Sequence, residues 1–373
     1  MKKLLIGFVS LLLLAGGVAW ADDDSDGGGA VRKFVTLPDG VRFPEGITAN
    51  PANGDIYVST FDGGAQNKLL RYSRHGHLLA VREFGPTPLL GLEFDASSNM
   101  VYIANVGNFV GAESKIQRIA ADFSSSTVPE DVAPIPGACA PAIPAVCGPA
   151  PRDVPKGDNS KDTVTFGANA KVPNAVMLDR EGRLYISDSF QGAIFRIDNV
   201  AHCLSPCSVT TISHDPLLAT PGFPPFGANG MALSQDGKTL FVANTGDDRV
   251  LKLDLTVPPL TKGAVSVFAE SINGADGIVF DRLGRLWVCA NQNDEVVALN
   301  AKGRVIIRLG RFEGIGRNGA PKGLLFPASP VIVGDEMFVT NLAIALTDPP
   351  MVGDEPEEDV KLWTVSRIKL PGL

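Results

Sequence analysis

The feature that most constrains the fold is a pair of short strands that recurs six times along the chain. Each copy has an apolar strand, a polar turn with Gly, Asp or Asn, and a second strand in which an aromatic residue precedes a β-branched one. These pairs are Tyr57-Val58, Tyr102-Ile103, Tyr185-Ile186, Phe241-Val242, Trp287-Val288 and Phe338-Val339. Strands of about five residues joined by hairpin turns are typical of a β-propeller. The repeat therefore predicts an all-β fold, a six-bladed β-propeller.

The two ends of the chain offer the strands that would close the ring. The segment RKFVTL (32–37) precedes the first copy, and KLWTVSRIKL (361–370) ends the chain. Their pairing would protect strand edges that an open sheet leaves exposed. We expect residues 32–373 to form a single propeller domain, with a loop insertion at about 133–171 between the second and third blades.

One position in the repeat predicts a metal site. The first strand of each blade lines the central channel, so equivalent positions form a ring around one axis. The position that follows the opening residue of this strand holds, in order, Glu45, Leu90, Asn174, Asn229, Asp276 and Ser329. Two carboxylates and two amide oxygens suit Ca²⁺, which takes about six to eight oxygen ligands. For each residue alone there is another explanation, because Asn and Asp are favoured at turns for local backbone hydrogen bonding.

Four stretches carry a family resemblance: FPEG, VPNAVMLDREGRLYISDS, GANGMALSQDGKTLFVAN and GADGIVFDRLGRLWVCAN. They resemble the calcium-dependent six-bladed propellers of the senescence-marker protein, gluconolactonase and luciferin-regenerating enzyme family, over most of residues 32–345. The resemblance implies a calcium-dependent hydrolase in which the metal polarises a lactone or ester carbonyl. It also implies that Asp276 activates water or assists proton transfer, and that one Ca²⁺ is held by Glu45, Asn174, Asn229 and Asp276.

Asp188 is a second candidate for the catalytic base. It ends the second strand of the third copy, and that end of the strand returns to the face where the ring lies. Its equivalents in other copies are Asn105, Asn244 and Asn341. That pattern indicates a residue that caps a turn.

The sequence departs from the family where its members that act on sugar lactones have an arginine. Val172 occupies this position, two residues before Asn174, so a sugar lactone is not implied. The insertion and the loop 214–228 are expected on the metal face, where long loops shape specificity. Together with Phe43, Phe223 and Phe226, they predict a pocket for an apolar or aromatic small-molecule substrate; a disordered surface insertion is the alternative.

Two other functions are compatible with the sequence. One is a non-catalytic, NHL-like propeller whose loops bind a ligand or a protein. The other is a different enzyme on the same scaffold, such as a strictosidine-synthase-like enzyme or a lyase, because one fold hosts several chemistries.

The N-terminus predicts export. A positively charged start, an apolar run from Leu4 to Val18 and the sequence Ala19-Trp20-Ala21 are typical of a secretory signal peptide (1–21) that is cleaved after Ala21. Residues 22–31 are expected to be a flexible N-terminus. We expect a periplasmic or secreted protein without a membrane span in its mature form.

Charge and cysteines agree with that location. The formal net charge of −8 becomes −10 when Lys2 and Lys3 are removed with the signal peptide, since residues 1–21 hold no acidic side chain. Such a protein is not expected to bind nucleic acid, whose phosphates recruit Lys and Arg. In an oxidising compartment Cys139/Cys147 and Cys203/Cys207 are candidate disulfides, although all five cysteines being free is the alternative. Cys289 is expected to be a buried thiol within a strand.

Overall fold

The fold is built almost entirely from antiparallel strands. The computed structural model describes residues 30–63, 66–108, 113–137, 152–155, 161–164, 171–220, 222–346 and 355–372. Within these ranges it contains six four-stranded sheets and two two-stranded ladders. The helices among these residues are short 3-10 segments at Pro216–Leu218, Asn291–Asn293 and Pro356–Asp359. The predicted six-bladed β-propeller is confirmed.

Five blades follow one another along the chain, each from the inner to the outer strand. Blade 1 consists of β2 (Pro44–Ala49), β3 (Ile56–Thr60), β4 (Asn67–Tyr72) and β5 (Leu78–Gly85). Blade 2 consists of β6 (Leu89–Asp95), β7 (Met100–Asn105), β8 (Lys115–Ala120) and β9 (Glu130–Pro134). Blade 3 consists of β12 (Pro173–Leu178), β13 (Leu184–Asp188), β14 (Ala193–Ile197) and β15 (Val209–His214). Blade 4 consists of β16 (Ala228–Leu233), β17 (Thr239–Asn244), β18 (Arg249–Asp254) and β19 (Val265–Ala269). Blade 5 consists of β20 (Ala275–Phe280), β21 (Leu286–Ala290), β22 (Glu295–Leu299) and β23 (Val305–Leu309).

Blade 6 joins the two ends of the chain. It contains β26 (Pro327–Val333), β27 (Glu336–Asn341), β28 (Thr364–Lys369) and, as its outer strand, β1 (Val31–Thr36). β1 pairs with β28 in antiparallel register, from Val31 opposite Ile368 to Thr36 opposite Thr364. The expected closure of the ring by the chain ends is confirmed.

The aromatic and β-branched pair of each repeat explains how the blades pack. Neighbouring residues of a strand point to opposite faces of the sheet. Tyr57 therefore packs in a cluster shared with blade 2, whereas Val58 packs in a cluster shared with blade 6. Trp287 and Val288 divide in the same way between blades 6 and 4. Six such apolar clusters, each between two adjacent blades, form the core. Each fully buried large side chain contributes about 1.5–3 kcal/mol.

A bulge at the start of every inner strand sets the ring. In blade 1 the pairing with β3 shifts between Pro44 and Ile47, and the other five blades have the same irregularity. In blade 6 the shift lies between Pro327 and Pro330. Pro327 therefore corresponds to Pro44, and the sixth ring position belongs to Ala328. The prediction of Ser329 was wrong by one residue.

Small residues after the ring positions let adjacent blades approach closely. A Cβ on Gly46 would lie 2.2 Å from the Leu90 carbonyl oxygen, and one on Gly230 would lie 2.5 Å from that of Asp276. Hydroxyl groups join the same backbones: Thr340 Oγ1 donates to the Glu45 carbonyl at 2.7 Å. The backbone of the ring is thus fixed by contacts between blades.

The remaining segments lie outside the six blades. β10 (Arg152–Pro155) pairs with β11 (Lys161–Val164) inside the predicted insertion, and β24 (Phe312–Ile315) pairs with β25 (Pro321–Gly323) before blade 6. Among the residues in the described ranges, no helix has the length and apolar character needed to cross a bilayer.

The cysteines can be placed in part. Cys203 and Cys207 form a disulfide, as predicted, with a Cα–Cα distance of 5.5 Å. Cys289 is a buried free thiol, also as predicted. Cys139 and Cys147 lie outside the described residues, as does the predicted signal peptide 1–21.

Candidate metal centre

The four predicted ligands line one small cavity on the channel axis. The bulges at the starts of β2, β12, β16 and β20 direct them there, and the cavity has a volume of ≈ 80 Å³. Each is almost completely buried, with exposures of 4%, 3%, 5% and 4% for Glu45, Asn174, Asn229 and Asp276. Leu90 lines the same cavity.

Two carboxylate oxygens at this cavity have no hydrogen-bond partner among the described residues. They are Glu45 Oε2 and Asp276 Oδ1, both fully buried. An unsatisfied buried polar group costs about 1–3 kcal/mol, and a charged one costs more. A hard divalent cation bonded to both oxygens would remove that cost, so the donor set fits such an ion.

The hydrogen bonds of Asn174 and Asn229 orient their amide groups. Asn174 Nδ2 donates to Ser189 Oγ at 3.0 Å, and Asn229 Nδ2 donates to Thr245 Oγ1 at 2.8 Å. Each hydroxyl in turn donates its only proton to a carbonyl of the next blade, at 2.7 Å for Ser189 and 2.8 Å for Thr245. The hydroxyls can therefore only accept from the asparagines. The amide nitrogens must face them, which leaves the amide oxygens available to the cavity.

The two carboxyl groups at the cavity, Glu45 and Asp276, both have raised pKa values. Burial raises the pKa of Glu45 well above its usual range, and the nearby Asp276 raises it further. Burial likewise raises the pKa of Asp276, while the neighbouring amide groups of Asn291 and Asn229 oppose the shift. Desolvation and a neighbouring like charge both disfavour ionisation. A cation bound between the two carboxylates would favour their ionised forms and lower both pKa values.

Asp188 is placed differently from the ring residues. Its Oδ1 accepts backbone N–H groups from Val172, Phe190 and Gln191 at 2.9–3.1 Å, and its Oδ2 accepts from the Gln191 side chain at 2.8 Å. It is not among the described residues that line the cavity. This geometry favours the turn-capping role over the catalytic one.

Residues just after the second strands complete one side of the site, and sequence analysis did not identify them. Ser189, Thr245 and Asn291 follow β13, β17 and β21, directly behind the ring residues of the same blades. Asn291 Nδ2 donates to Asp276 Oδ2 at 3.0 Å. The shared register of the repeat was the available signal, since Ser, Thr and Asn recur one residue after the strand end.

The opposite side of the cavity is apolar. Its lining includes Phe61, Pro224, Phe226, Phe326, Leu342, Ile344 and Leu346. Of the three phenylalanines expected near the pocket, Phe226 lines it. Phe223 does not, since it is 64% exposed, and Phe43 packs against the Trp363 ring at 5.0 Å between centroids. The expectation for Phe223 was wrong, whereas Phe43 packs against the cluster that includes the lining residues Phe326 and Leu342 without lining the cavity itself.

Among the described residues, no histidine and no acidic side chain besides Glu45 and Asp276 lines the cavity. No group of three or more His, Cys, Asp or Glu suited to a metal occurs in the described ranges. The site therefore combines two carboxylates with neutral amides. Val172 is fully buried in the apolar cluster between blades 2 and 3, and it is not among the described residues that line the cavity.

Comparison with known proteins supports the family resemblance. Residues 224–310 match the family model described as SMP-30/Gluconolactonase/LRE-like region. This segment contains the inner strands of blades 4 and 5, with Asn229 and Asp276. The resemblance stated from the sequence is confirmed by this match. No curated protein matches the chain significantly.

Solved structures show the same fold at low sequence identity. A luciferin-regenerating enzyme superposes with a TM-score of 0.61 at 14% identity, over 92% of this chain and 96% of that one. Regucalcin from Agrobacterium tumefaciens, described as a calcium-binding protein, gives 0.54 at 17% identity over 92% and 95%. A putative gluconolactonase gives 0.52 at 14% identity over 92% and 93%. At these identities the likeness shows the propeller fold alone.

Proposed function

We propose that this chain, with its SMP-30/gluconolactonase/LRE-like segment at 224–310, is a calcium-dependent hydrolase of a lactone or ester. The observation that supports it most is a pair of buried, unpartnered carboxylate oxygens, Glu45 Oε2 and Asp276 Oδ1, on a cavity also lined by Asn174 and Asn229. Such oxygens match what Ca²⁺ prefers. The similar regucalcin is itself described as a calcium-binding protein, which adds support.

The ring residues would hold the ion and would define where the carbonyl binds. When bound, a divalent ion supplies a Lewis acid for the carbonyl oxygen and offsets the charge of the tetrahedral intermediate. Glu45, Asn174, Asn229 and Asp276 would be its ligands. Their rigid attachment to four different blades keeps the oxygens in place before substrate arrives.

Asp276 is the proposed base. Its Oδ2 is held by Asn291, whereas its Oδ1 faces the cavity without a partner among the described residues. A positioned carboxylate can accept a proton from an attacking water in the transition state. Asp188 has a weaker claim, since backbone and side-chain donors already occupy both of its oxygens.

The apolar wall indicates the substrate class. A cavity of ≈ 80 Å³ is far below the roughly 300–1,000 Å³ of drug-sized ligand pockets. Only the reacting carbonyl and the atoms next to it would fit, against Phe61, Phe226 and Leu342. We therefore propose an ester or lactone with an apolar or aromatic substituent that extends past these side chains.

Export is part of the proposal. The N-terminal sequence has the features of a signal peptide, and the Cys203–Cys207 disulfide suits an oxidising compartment such as the periplasm. Mass spectrometry of the protein recovered from its native compartment should give a chain that begins at Asp22. A chain in the cytoplasm that still begins at Met1 would contradict export.

A substrate screen tests the activity. Purified protein would be assayed on aliphatic lactones and aryl esters of increasing chain length, with and without a chelator. We expect hydrolysis that the chelator abolishes and Ca²⁺ restores, and that Asp276→Asn reduces strongly. Asp39→Asn, at an exposed aspartate, is the matched control.

The other outcomes separate the rival functions. Full turnover in Asp276→Asn would remove the proposed base and leave the metal site standing. Calcium binding without turnover of any substrate would favour a binding propeller. Products of elimination rather than hydrolysis would favour a lyase.

A further inference from the structure

We infer that Asn291 is a positioning residue that holds Asp276 in a single orientation at the cavity; the inference rests on the proposed metal site. Asn291 is 1% exposed, and it follows the second strand of blade 5. The resemblance to the family did not assign it a role.

The side chain of Asn291 is held by one hydrogen bond and by close packing, while its buried Oδ1 has no hydrogen-bond partner among the described residues. Its Nδ2 donates to Asp276 Oδ2 at 3.0 Å, and an ionised carboxylate can only accept, so the amide nitrogen must face it. Its Oδ1 lies against Gly274, where an added Cβ would come within 1.8 Å of that oxygen. The backbone N–H of Asn291 also donates to the Gly274 carbonyl at 3.0 Å. Gly274 has a φ of 64°, which favours glycine as well.

The neighbouring blades show why an asparagine stands here. At the same register blades 3 and 4 have Ser189 and Thr245, whose hydroxyls accept from the ring asparagines. In blade 5 the ring residue is a carboxylate, which needs a donor. The direction of the hydrogen bond is therefore reversed, and the residue behind the ring changes from an acceptor to a donor.

This contact decides which oxygen Asp276 presents. With Oδ2 engaged by Asn291, only Oδ1 is directed at the cavity without a partner among the described residues. Without the donor, the carboxylate could rotate about χ2, where its wells are broad and roughly two-fold. Loss of such a supporting hydrogen bond typically lowers metal affinity by about 10–100-fold.

Two variants test the inference. Asn291→Val removes the donor, whereas Asn291→Gln keeps an amide donor on a side chain that is one methylene longer. The full-length mature protein, stripped with a chelator, would be titrated with CaCl₂ in a calorimeter. We expect the affinity of Asn291→Val to fall about 10–100-fold, and Asn291→Gln to lose less because it keeps the amide donor. The control is Asn293→Ala, at an exposed asparagine two residues away.

The possible outcomes distinguish a failure of this inference from a failure of the proposed metal site. If the unchanged protein binds no calcium, the metal site fails and the inference fails with it. If it binds calcium and Asn291→Val binds equally well, only the positioning role is overturned. Equal weakening in the valine and glutamine variants would also overturn it, because a loss caused by the missing donor should be smaller where an amide donor is retained. Melting temperatures without calcium verify folding, and Asn291→Ala replaces the valine variant if that variant is unfolded.

Discussion

Blades 3 to 5 and blades 6, 1 and 2 have the same strand register but present opposite chemistry to the channel. Just after their second strands, the first group has Ser189, Thr245 and Asn291, and the second has Leu342, Phe61 and Val106. At the ring, the first group has Asn174, Asn229 and Asp276, and the second has Ala328, Glu45 and Leu90. The repeat determines where a side chain points, and its identity determines what can bind there. The cavity thus has a polar and an apolar half. From the polar half it is lined by Asn174, Asn229, Thr245, Asp276 and Asn291, and from the apolar half by Glu45, Phe61, Leu90 and Leu342.

Glu45 is the exception within the apolar half. It is a buried carboxyl group on a cavity that Phe61 and Leu342 also line, and its Oε2 has no partner among the described residues. A charge in such a place is costly unless it is paired. An ion held jointly with the polar half would pair it.

Removal of that carboxylate should have the largest effect. Glu45→Gln removes the one charged ligand of the apolar half. We expect the free energy of calcium binding to weaken by about 2–5 kcal/mol, which is the usual cost of truncating one partner of a buried charge pair. The variant should melt at a higher temperature than the unchanged protein when both are free of calcium, because a repulsive buried charge is lost. Calorimetry and thermal melts measure the two effects, with the exposed Glu113→Gln as control. Unchanged affinity would show that the halves do not share an ion.

The apolar wall of the cavity, to which the loop before blade 4 contributes Phe226, should determine substrate preference. Phe226→Ala removes a ring that lines the cavity and contacts Phe61 and Phe190, with centroids 6.2 and 5.5 Å away. We expect the transition-state stabilisation of an aryl or long-chain ester, measured from kcat/KM, to fall by about 1.5–3 kcal/mol more than that of an acetate ester. This is the contribution of a buried phenylalanine side chain. Calcium affinity should stay the same. Equal losses on both esters would contradict a specificity role.

A polar residue in the apolar half tests the division itself. Leu342→Asn places an amide where blade 5 has Asn291, and we expect the KM for the preferred apolar ester to rise about 5- to 10-fold, near 1 kcal/mol. Leu283→Asn, at a leucine that is 57% exposed, is the matched control. A fall in calcium affinity instead would mean that the ion lies closer to blade 6 than proposed.

Glu93, on the inner strand of blade 2, should change stability with pH and leave the calcium affinity as it is. Burial raises the pKa of Glu93 to about 8, from an ordinary value of 4.5. The folded protein keeps this proton after the unfolded chain has lost it, so stability should decline as pH rises from about 4.5 towards 8. Glu93→Gln cannot ionise, and its melting temperature should match the unchanged protein at pH 5 and exceed it at pH 9. The same pH dependence in both proteins would exclude this contribution.

Much of the fold was predictable because the repeat encodes it. The pair Tyr57-Val58 and its equivalents reveal strands buried on both faces, and the chain ends reveal the closing strand. Five of the six ring positions followed from taking the residue after the opening proline, alanine or leucine of the inner strand. The sixth was misplaced because Ala328 was taken as the opening residue where the structure has Pro327, which moved the expected position from Ala328 to Ser329.

The residues behind the ring were harder to predict. Their roles depend on how adjacent blades meet, as when the Ser189 hydroxyl bonds to the Ala228 carbonyl of the next blade. Ile344 and Leu346 reach the cavity from a segment after β27 that has no counterpart in the repeat. Phe223 showed the converse, since its proximity to Phe226 along the sequence did not place its ring at the cavity.

A crystal structure of the mature protein grown with calcium tests the central claim most directly. We predict one ion on the channel axis, bonded to side-chain oxygens of Glu45, Asn174, Asn229 and Asp276 at about 2.3–2.6 Å. An ion bound elsewhere, or these four side chains held together by water alone at saturating calcium, would contradict it.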